Sequence, residues 1–372
     1  MILFNDIASQ WKEIESVTLP KLVEFLRTGP YILGDRLKEF EKSFADYISV
    51  KYAVGVSNGT DGLRIAFQAL GFGEKPFCDW TDTPVFVPAN SHISDALAAI
   101  YQGINPIFVD CDQYYNIDVE DLVRRGKMYE KKPIVIAVHM YGQAANIPGI
   151  RKHFPKALII EDCSQSFGAT IEGRPVGTFG DIAVFSLYPT KNLGALGDAG
   201  VVVTNDAGYY DRLKALRDYG SFDRKDYVYL GGNHRLDDIQ ALILNDKLPL
   251  IKTWISKKRE YARLYNQLLQ NVGDIILPAQ APYADESTYH IYPIRTEYRD
   301  SLRSYLDSVG IPTAIHYSMP LHQISLLTVI RHVKNAEHFS KTILSLPMHQ
   351  YLAEKDIRGI SDAIRDFFRT KE

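Results

Sequence analysis

Seven short apolar runs punctuate the first two thirds of the chain, and they constrain its fold more than any other feature. They fall at 52–56 (Tyr-Ala-Val-Gly-Val), 85–87, 106–109, 133–138 (Pro-Ile-Val-Ile-Ala-Val), 157–160, 182–185 and 201–204. They are near-continuously apolar rather than alternating, which is the pattern of strands covered on both faces. Helical patterns separate several of them. Leu63, Ile65, Ala66, Ala69 and Leu70 follow the first run, a helix is expected near 92–101, and less regular patterns occupy 118–125 and 147–153. Such alternation predicts a parallel sheet wrapped in helices, an α/β domain.

From Leu236 the period changes. Leu236, Ile239, Ile243, Leu250 and Trp254 predict long helices interrupted near Pro249. Beyond about 275, strand-like pieces (288–295, 313–315) mix with helices (299–308, 336–343). We therefore expect a large domain over 1–245 and a smaller α+β domain over 246–372, which suits a length of 372 residues.

Composition removes several classes. The chain is 46% hydrophobic and 23% charged, so disordered and fibrous proteins are excluded. A net charge of −3 offers no global attraction to nucleic acid or anionic membrane. No apolar run approaches the ~18 residues that cross a bilayer, and Met-Ile-Leu-Phe-Asn-Asp at the start has no basic leader. Cys78, Cys111 and Cys163 lie far apart, which speaks against a disulfide framework or a zinc ribbon. The expectation is a cytoplasmic protein.

The phosphate loop of nucleotide hydrolases is absent, and Gly71-x-Gly73 follows a helix and lacks a third glycine, so neither ATP nor dinucleotide binding is supported. Three other features are more informative. Val56-Ser-Asn-Gly-Thr-Asp-Gly62 joins a strand to a helix, and free N–H groups with a hydroxyl there would hold a phosphate. An ordinary capped turn would use the same residues. Asp162 ends the strand 157–160, at the carboxyl edge where open sheets bind ligands; a solvated acid would also read this way. Lys191 stands alone among small and apolar residues after 182–185, and a desolvated lysine is a Schiff-base nucleophile, although most loop lysines are plain surface groups. A phosphate cradle, a strand-end carboxylate and an isolated amine are together what pyridoxal 5'-phosphate requires.

At this point the chain resembles the DegT/StrS-type sugar aminotransferases, a branch of the fold type I pyridoxal-phosphate enzymes, over about residues 4 to 365. The resemblance lies in Gly29-Pro-Tyr-Ile-Leu-Gly34 with Phe40-Glu41, in Val56–Gly62, and in Val87-Pro-Ala-Asn90. It continues in His139-Met-Tyr-Gly-Gln143, Glu161-Asp-Cys-Ser-Gln165 and Ser186-Leu-Tyr-Pro-Thr-Lys191-Asn-Leu-Gly194. Gly232-Asn-His-Arg235-Leu-Asp237 with Gln240, His316-Tyr317 and Leu344-Ser-Leu-Pro-Met348 complete it.

The resemblance implies a mostly parallel seven-stranded sheet and a smaller C-terminal domain. It implies that Lys191 forms the internal aldimine and shuttles the proton, that Asp162 holds the pyridinium nitrogen, and that Gln165 holds the ring hydroxyl. Gly59, Thr60 and Ser186 would bind the phosphate, and Asn233 would reach it from the partner subunit of an obligate homodimer with shared sites. His92 falls where the family stacks an aromatic side chain on the ring; a polar residue at a helix start is the plainer reading. Tyr188, His316 and Tyr317 resemble sugar-site positions, and Lys225 is a candidate for the substrate diphosphate. Two departures stand out: Gly73–Pro84 is longer than the usual turn and reads as a surface excursion, with Trp80 a candidate for the partner chain. Asn146 replaces a common aspartate without evident meaning. His139 and His322 lack metal-ligand spacing, so no metal is expected.

The family donor is L-glutamate and the acceptor a nucleotide-linked keto sugar. Gln165, with His316-Tyr317, looks more like members aminating C-3, since histidine is commoner at the Gln165 position among 4-keto enzymes. The expected substrate is a dTDP-3-keto-6-deoxyhexose, feeding a lipopolysaccharide, S-layer glycan or antibiotic sugar. A 4-keto aminotransferase and a non-catalytic sugar-nucleotide-binding regulator are the alternatives. A sugar dehydratase is opposed by Lys191, where that branch has histidine. A desulfurase is opposed by Thr190, where those lyases commonly have histidine.

Overall fold

The computed structural model describes residues 2–72, 83–327 and 332–370. Trp80 and nearly all of the expected 73–84 excursion lie outside the described residues.

Each of the seven apolar runs is a strand of one sheet. They are β1 (Tyr52–Val56), β2 (Val85–Pro88), β3 (Ile107–Val109), β4 (Ile134–Val138), β5 (Leu158–Asp162) and, beyond a small separate hairpin of β6 (Thr170–Ile171) and β7 (Arg174–Pro175), β8 (Ile182–Ser186) and β9 (Gly200–Thr204). The sheet order is β1-β9-β8-β5-β4-β2-β3. β2, β3, β4, β5 and β8 pair parallel, whereas β9 runs antiparallel to both β1 and β8. The reversal has a local cause. Residues 187–199 form no helix, so the chain leaves β8 and returns beside it without crossing the sheet. That return loop carries Lys191.

Helices cover both faces, as the unbroken apolar strands require. α1 (Ile7–Thr28) and α2 (Asp35–Ile48) precede the sheet, in a region to which periodicity alone assigned no element. α2 nonetheless buries Leu37, Phe40, Phe44 and Ile48 on one stripe. α3 (Gly59–Ala69), α4 (Ile93–Ile100), α5 (Val119–Gly126), α6 (Ile147–His153) and α7 (Ala207–Arg217) follow. Along β9, Val202 enters one core with Leu63, Ile65 and Val184, while Val201 and Val203 enter the other with Phe44 and Phe185.

α8 (Asp238–Lys247) and α9 (Ile251–Leu269) are separated by a single tight turn at Leu248–Leu250, where Pro249 stands. Beyond them β10 (Tyr292–Arg295), α10 (Arg299–Ser308), α11 (Lys334–Thr342), β11 (Ile343–Leu346) and α12 (Glu354–Arg369) complete the chain. β10 and β11 pair antiparallel, and a separate core gathers Tyr265, Tyr292, Leu302, Leu306, Ile357 and Ile364. Two expected strands differ. The piece at 288–295 shortens to β10, because the Thr288 N–H is taken by Gly142 O at 2.9 Å. The piece at 313–315 makes only one bridge, Ala314 to Ser345. Among the described residues, no helix is long and apolar enough to cross a membrane.

Candidate active site

The carboxyl ends of β1, β2, β4, β5 and β8 converge on a cavity of about 580 Å³, the size and place expected of a ligand site in an open α/β sheet. Gly59, Thr60, His92, Asp162, Gln165, Ser186, Tyr188, Lys191 and Tyr317 all line it. Residues spread over some 260 positions of sequence are thus brought together, all but Tyr317 by the sheet's strand ends and the segments that follow them.

One wall is the start of α3. Asn58 caps it, its side chain accepting the Asp61 N–H at 2.8 Å. Asp61 in turn accepts from Ser57 Oγ at 2.7 Å and Asn58 Nδ2 at 3.0 Å. Burial would raise its pKa, but bonds from His234, Ser57 and Asn58 outweigh that and lower it to about 2. The cap takes the Asp61 N–H, and Gly59 and Thr60, which begin α3, line the cavity. Gly59 is packed so closely that an added Cβ would stand 2.8 Å from Ser186 Cβ. Thr60 Oγ1 lies 2.8 Å from Ser94 Oγ, and the Ser164 hydroxyl accepts the Ser186 N–H at 3.3 Å, so hydroxyls ring the helix start.

The floor is β5. Asp162, its last residue, is almost fully buried and accepts the Ser164 N–H on Oδ1 at 2.9 Å. Gln165 is oriented from two sides: its Oε1 accepts the Tyr141 N–H at 3.0 Å and its Nε2 donates to Tyr317 Oη at 3.2 Å. One Nε2 hydrogen is left over. Lys191 hangs from the return loop, its backbone N–H bonded to Tyr188 O at 2.8 Å. Desolvation lowers the pKa of its ammonium, against the opposing pull of Asp162 and Asp95.

His92 is a polar residue at a helix start and also lines the cavity. Its ring faces the cavity, and Nδ1 caps α4, accepting the Ser94 N–H at 3.3 Å with Ser94 Oγ at 2.7 Å. Desolvation and the Lys191 cation lower its pKa, which keeps the ring neutral, and it lies 5.9 Å from the Tyr317 ring. Three expected residues lie outside the lining. His316 turns away, Nδ1 to Ser345 Oγ at 2.9 Å, and burial with the Lys191 charge lowers its pKa to about 4. Asn233 and Lys225 are exposed on the segment after α7. Lys225 is tied into a turn by Asp223, its backbone N–H 2.8 Å from Oδ1, and does not line its own chain's cavity.

Arg64, Ser94, Asp95 and Ser164 line the cavity without having been singled out by sequence. Ser164 sits inside the Glu161–Gln165 motif, and Asp95 is the lone acid of the otherwise small and apolar α4, so both left a signal. Behind the floor, His139, Glu161 and Cys163 cluster. His139 Nδ1 accepts the Ala145 N–H at 2.8 Å and Nε2 stands 3.0 Å from Glu161, so the imidazole has no lone pair for a metal. Glu161 also accepts from Gly177, Phe179 and Gly180, and burial raises the Cys163 thiol well above its usual pKa. The cluster is a hydrogen-bonded prop under β5.

A model of the DegT/DnrJ/EryC1/StrS aminotransferase family matches residues 12–365. The chain belongs to this family. A dTDP-3-amino-3,4,6-trideoxy-alpha-D-glucose transaminase of Streptomyces venezuelae is 33% identical over 98% of this chain and 95% of its own. A "pleiotropic regulatory protein" of Geobacillus stearothermophilus is 34% identical over 98% of both chains. Among solved structures, S. venezuelae DesV in complex with a ketimine intermediate superposes with a TM-score of 0.92, at 33% identity and 98% coverage of each chain. The protein is thus an aminotransferase of fold type I, and pyridoxal 5'-phosphate is its cofactor.

Proposed function

We propose that this aminotransferase moves an amino group from L-glutamate to C-3 of a dTDP-3-keto-6-deoxyhexose, making an amino-deoxy sugar. The observation that carries the reading is the meeting of a hydroxyl-ringed helix start, a buried carboxylate and a desolvated lysine in one cavity. That donor set fits the cofactor's phosphate, ring nitrogen and aldehyde in turn. When bound, the cofactor supplies an aldehyde that takes up the amine and a cationic ring that draws electrons from the reacting carbon.

Gly59, Thr60 and Ser186 hold the phosphate, the N–H groups and positive end of α3 supplying most of the attraction. Asp162 keeps the ring nitrogen protonated, since losing that proton would strand a buried carboxylate without a counter-charge. Gln165 would offer its free Nε2 hydrogen to the ring hydroxyl, and neutral His92 would pack against the ring. Lys191 Nζ would hold the cofactor's aldehyde, and its lowered pKa suits the amine to take up and return a proton. Tyr188 and Tyr317 contact the sugar, and Arg64, a basic side chain of the lining, faces the substrate's anionic groups. The choice of C-3 and of dTDP is supported by Gln165 with His316-Tyr317 and by the name of the S. venezuelae relative.

We read the active assembly as a cytoplasmic homodimer. Tyr219, Phe222, Tyr227, Val228 and Leu230 are exposed on the segment that also carries Asn233, and covering them with a second copy would bring that asparagine to the partner's phosphate site. Lys225 would travel with it.

The test is spectroscopic. Purified protein with cofactor should be yellow, L-glutamate should bleach it, and borohydride should fix the adduct on Lys191. Turnover of a dTDP-3-keto-6-deoxyhexose, and none of its 4-keto isomer, is the expected second half; the reverse preference overturns the C-3 assignment. The regulatory name of the Geobacillus relative favours a second reading, a sugar-nucleotide sensor, to which failure of amine transfer across a panel of nucleotide keto sugars would point.

A further inference from the structure

The first turn of α4 puts a second carboxyl beside Asp162. Asp95 has no solvent exposure, lines the cavity, and its side chain reaches that of Asp162 within hydrogen-bonding range. Neither of its oxygens receives a hydrogen bond from an N–H or O–H donor among the described residues. The neighbouring Ser91 hydroxyl, which donates to Pro88 O at 3.1 Å, is the hydroxyl that bears on Asp95, and burial and Asp162 outweigh it. A buried carboxylate with no donor is among the costliest groups a fold can hold. A carboxylic acid in the same place needs only one acceptor, and Asp162 is one.

The surroundings favour the acid. Burial and the Asp162 carboxyl both push the Asp95 pKa well up, with the Ser91 hydroxyl and Lys191 pulling the other way. The titratable groups facing the pair are Lys191 from the return loop, Tyr317 from the segment after α10, His92 on α4 itself and the Cys163 thiol, which burial keeps protonated. Tyr317 is held protonated by its own burial and by both carboxyls, and His92 is kept neutral. Lys191 is therefore the cation of the group, and it faces a pair that need carry only one charge.

We propose that Asp95 is a positioning residue that keeps its proton and donates it to Asp162, so that two carboxyls present one fixed negative charge to the cofactor's ring nitrogen. Asp162 already takes the Ser164 N–H on Oδ1; the bond from Asp95 clamps the carboxylate from another side and leaves its remaining lone pairs for the ring. A second negative charge would instead raise the pKa of Lys191 and blunt it as a nucleophile. The inference rests on the assignment of Asp162 to the ring nitrogen.

The test begins on cofactor-free protein. Infrared spectra near neutral pH should show the carbonyl band of an uncharged carboxylic acid in the wild type, lost in Asp95→Asn. The same variants are then loaded with pyridoxal 5'-phosphate. Asp95→Asn retains a donor to Asp162 and should hold the cofactor within about threefold of wild type, with an unshifted pH titration of the near-visible band. Asp95→Ala should weaken binding about tenfold, the scale of one charge-assisted bond, and shift that titration. Absence of an acid band assignable to Asp95, or an alanine variant indistinguishable from wild type in affinity and titration, overturns the proposal. The infrared result stands even if Asp95→Ala does not fold. Wild type that leaves no borohydride-fixed adduct on Lys191 would overturn the functional reading separately.

Discussion

At the scale of single residues, the cavity works by setting charge states through burial. Lys191→Ala should abolish the glutamate-induced spectral change and cut kcat by about 10³-fold or more, the contribution expected of a nucleophile that also carries a proton. A variant retaining about a tenth of wild-type kcat would show that another amine does this work. His316 makes a prediction about stability. Its pKa is about 4 in the fold against about 6.5 unfolded, so the unfolded chain binds the proton more readily. The contribution of the neutral ring is complete above about pH 6.5 and disappears as pH falls through 4. Unfolding free energy measured by denaturant should therefore drop across that window, and His316→Asn should flatten the slope. Asp61, at about 2, acts in the same direction at lower pH: its share is present above about 4 and lost on approach to 2.

Elements set where those residues stand. The start of α3 is a helix cap and, in the proposed site, the phosphate cradle, and the two roles separate by mutation. Asn58→Ala removes the bond to the Asp61 N–H and should cost about 1 kcal/mol of stability, read by urea unfolding. Gly59→Ala adds a Cβ 2.8 Å from Ser186 Cβ, and overpacking of that kind costs about 1–3 kcal/mol. Because Ser186 lines the cradle, the second variant should also weaken cofactor affinity well beyond its stability loss, as measured by fluorescence titration. Equal effects of the two on affinity would remove the cradle from the phosphate site. The return loop matters for a similar reason: β9 comes back antiparallel, so a short helix-free segment rather than a long crossover carries Lys191 over the strand ends.

For the whole molecule, the location of Asn233 is decisive. It is exposed and outside its own chain's cavity, so the homodimer reading predicts complementation between defective copies. Lys191→Ala and Asn233→Ala proteins, each inactive or weak alone, should regain about a quarter of wild-type activity when unfolded and refolded together. Random pairing makes half the dimers mixed, and one of the two sites in each is intact. No recovery would place Asn233 in a role confined to its own chain. Size-exclusion chromatography of the same samples distinguishes a failure to dimerise from a failure to share.

The sequence by itself determined the strands, because a buried strand must be apolar throughout and turn residues interrupt it. The seven runs and the helices at 299–308 and 147–153 were legible for that reason. Gly59, Thr60, Asp162 and Lys191 stood out by chemistry unusual where they stand, Gln165 and Ser186 only through the family resemblance, and all six line the cavity. The first two helices went unread although α2 carries a regular apolar stripe. Only the tertiary structure decided which polar groups meet. His316, which resembles a family sugar-site position, bonds Ser345 and lies outside the lining, as does Lys225. Asp95 looks like a helix-start acid yet lies buried against Asp162. Such pairings depend on distances between elements far apart in the chain, and no local propensity encodes them.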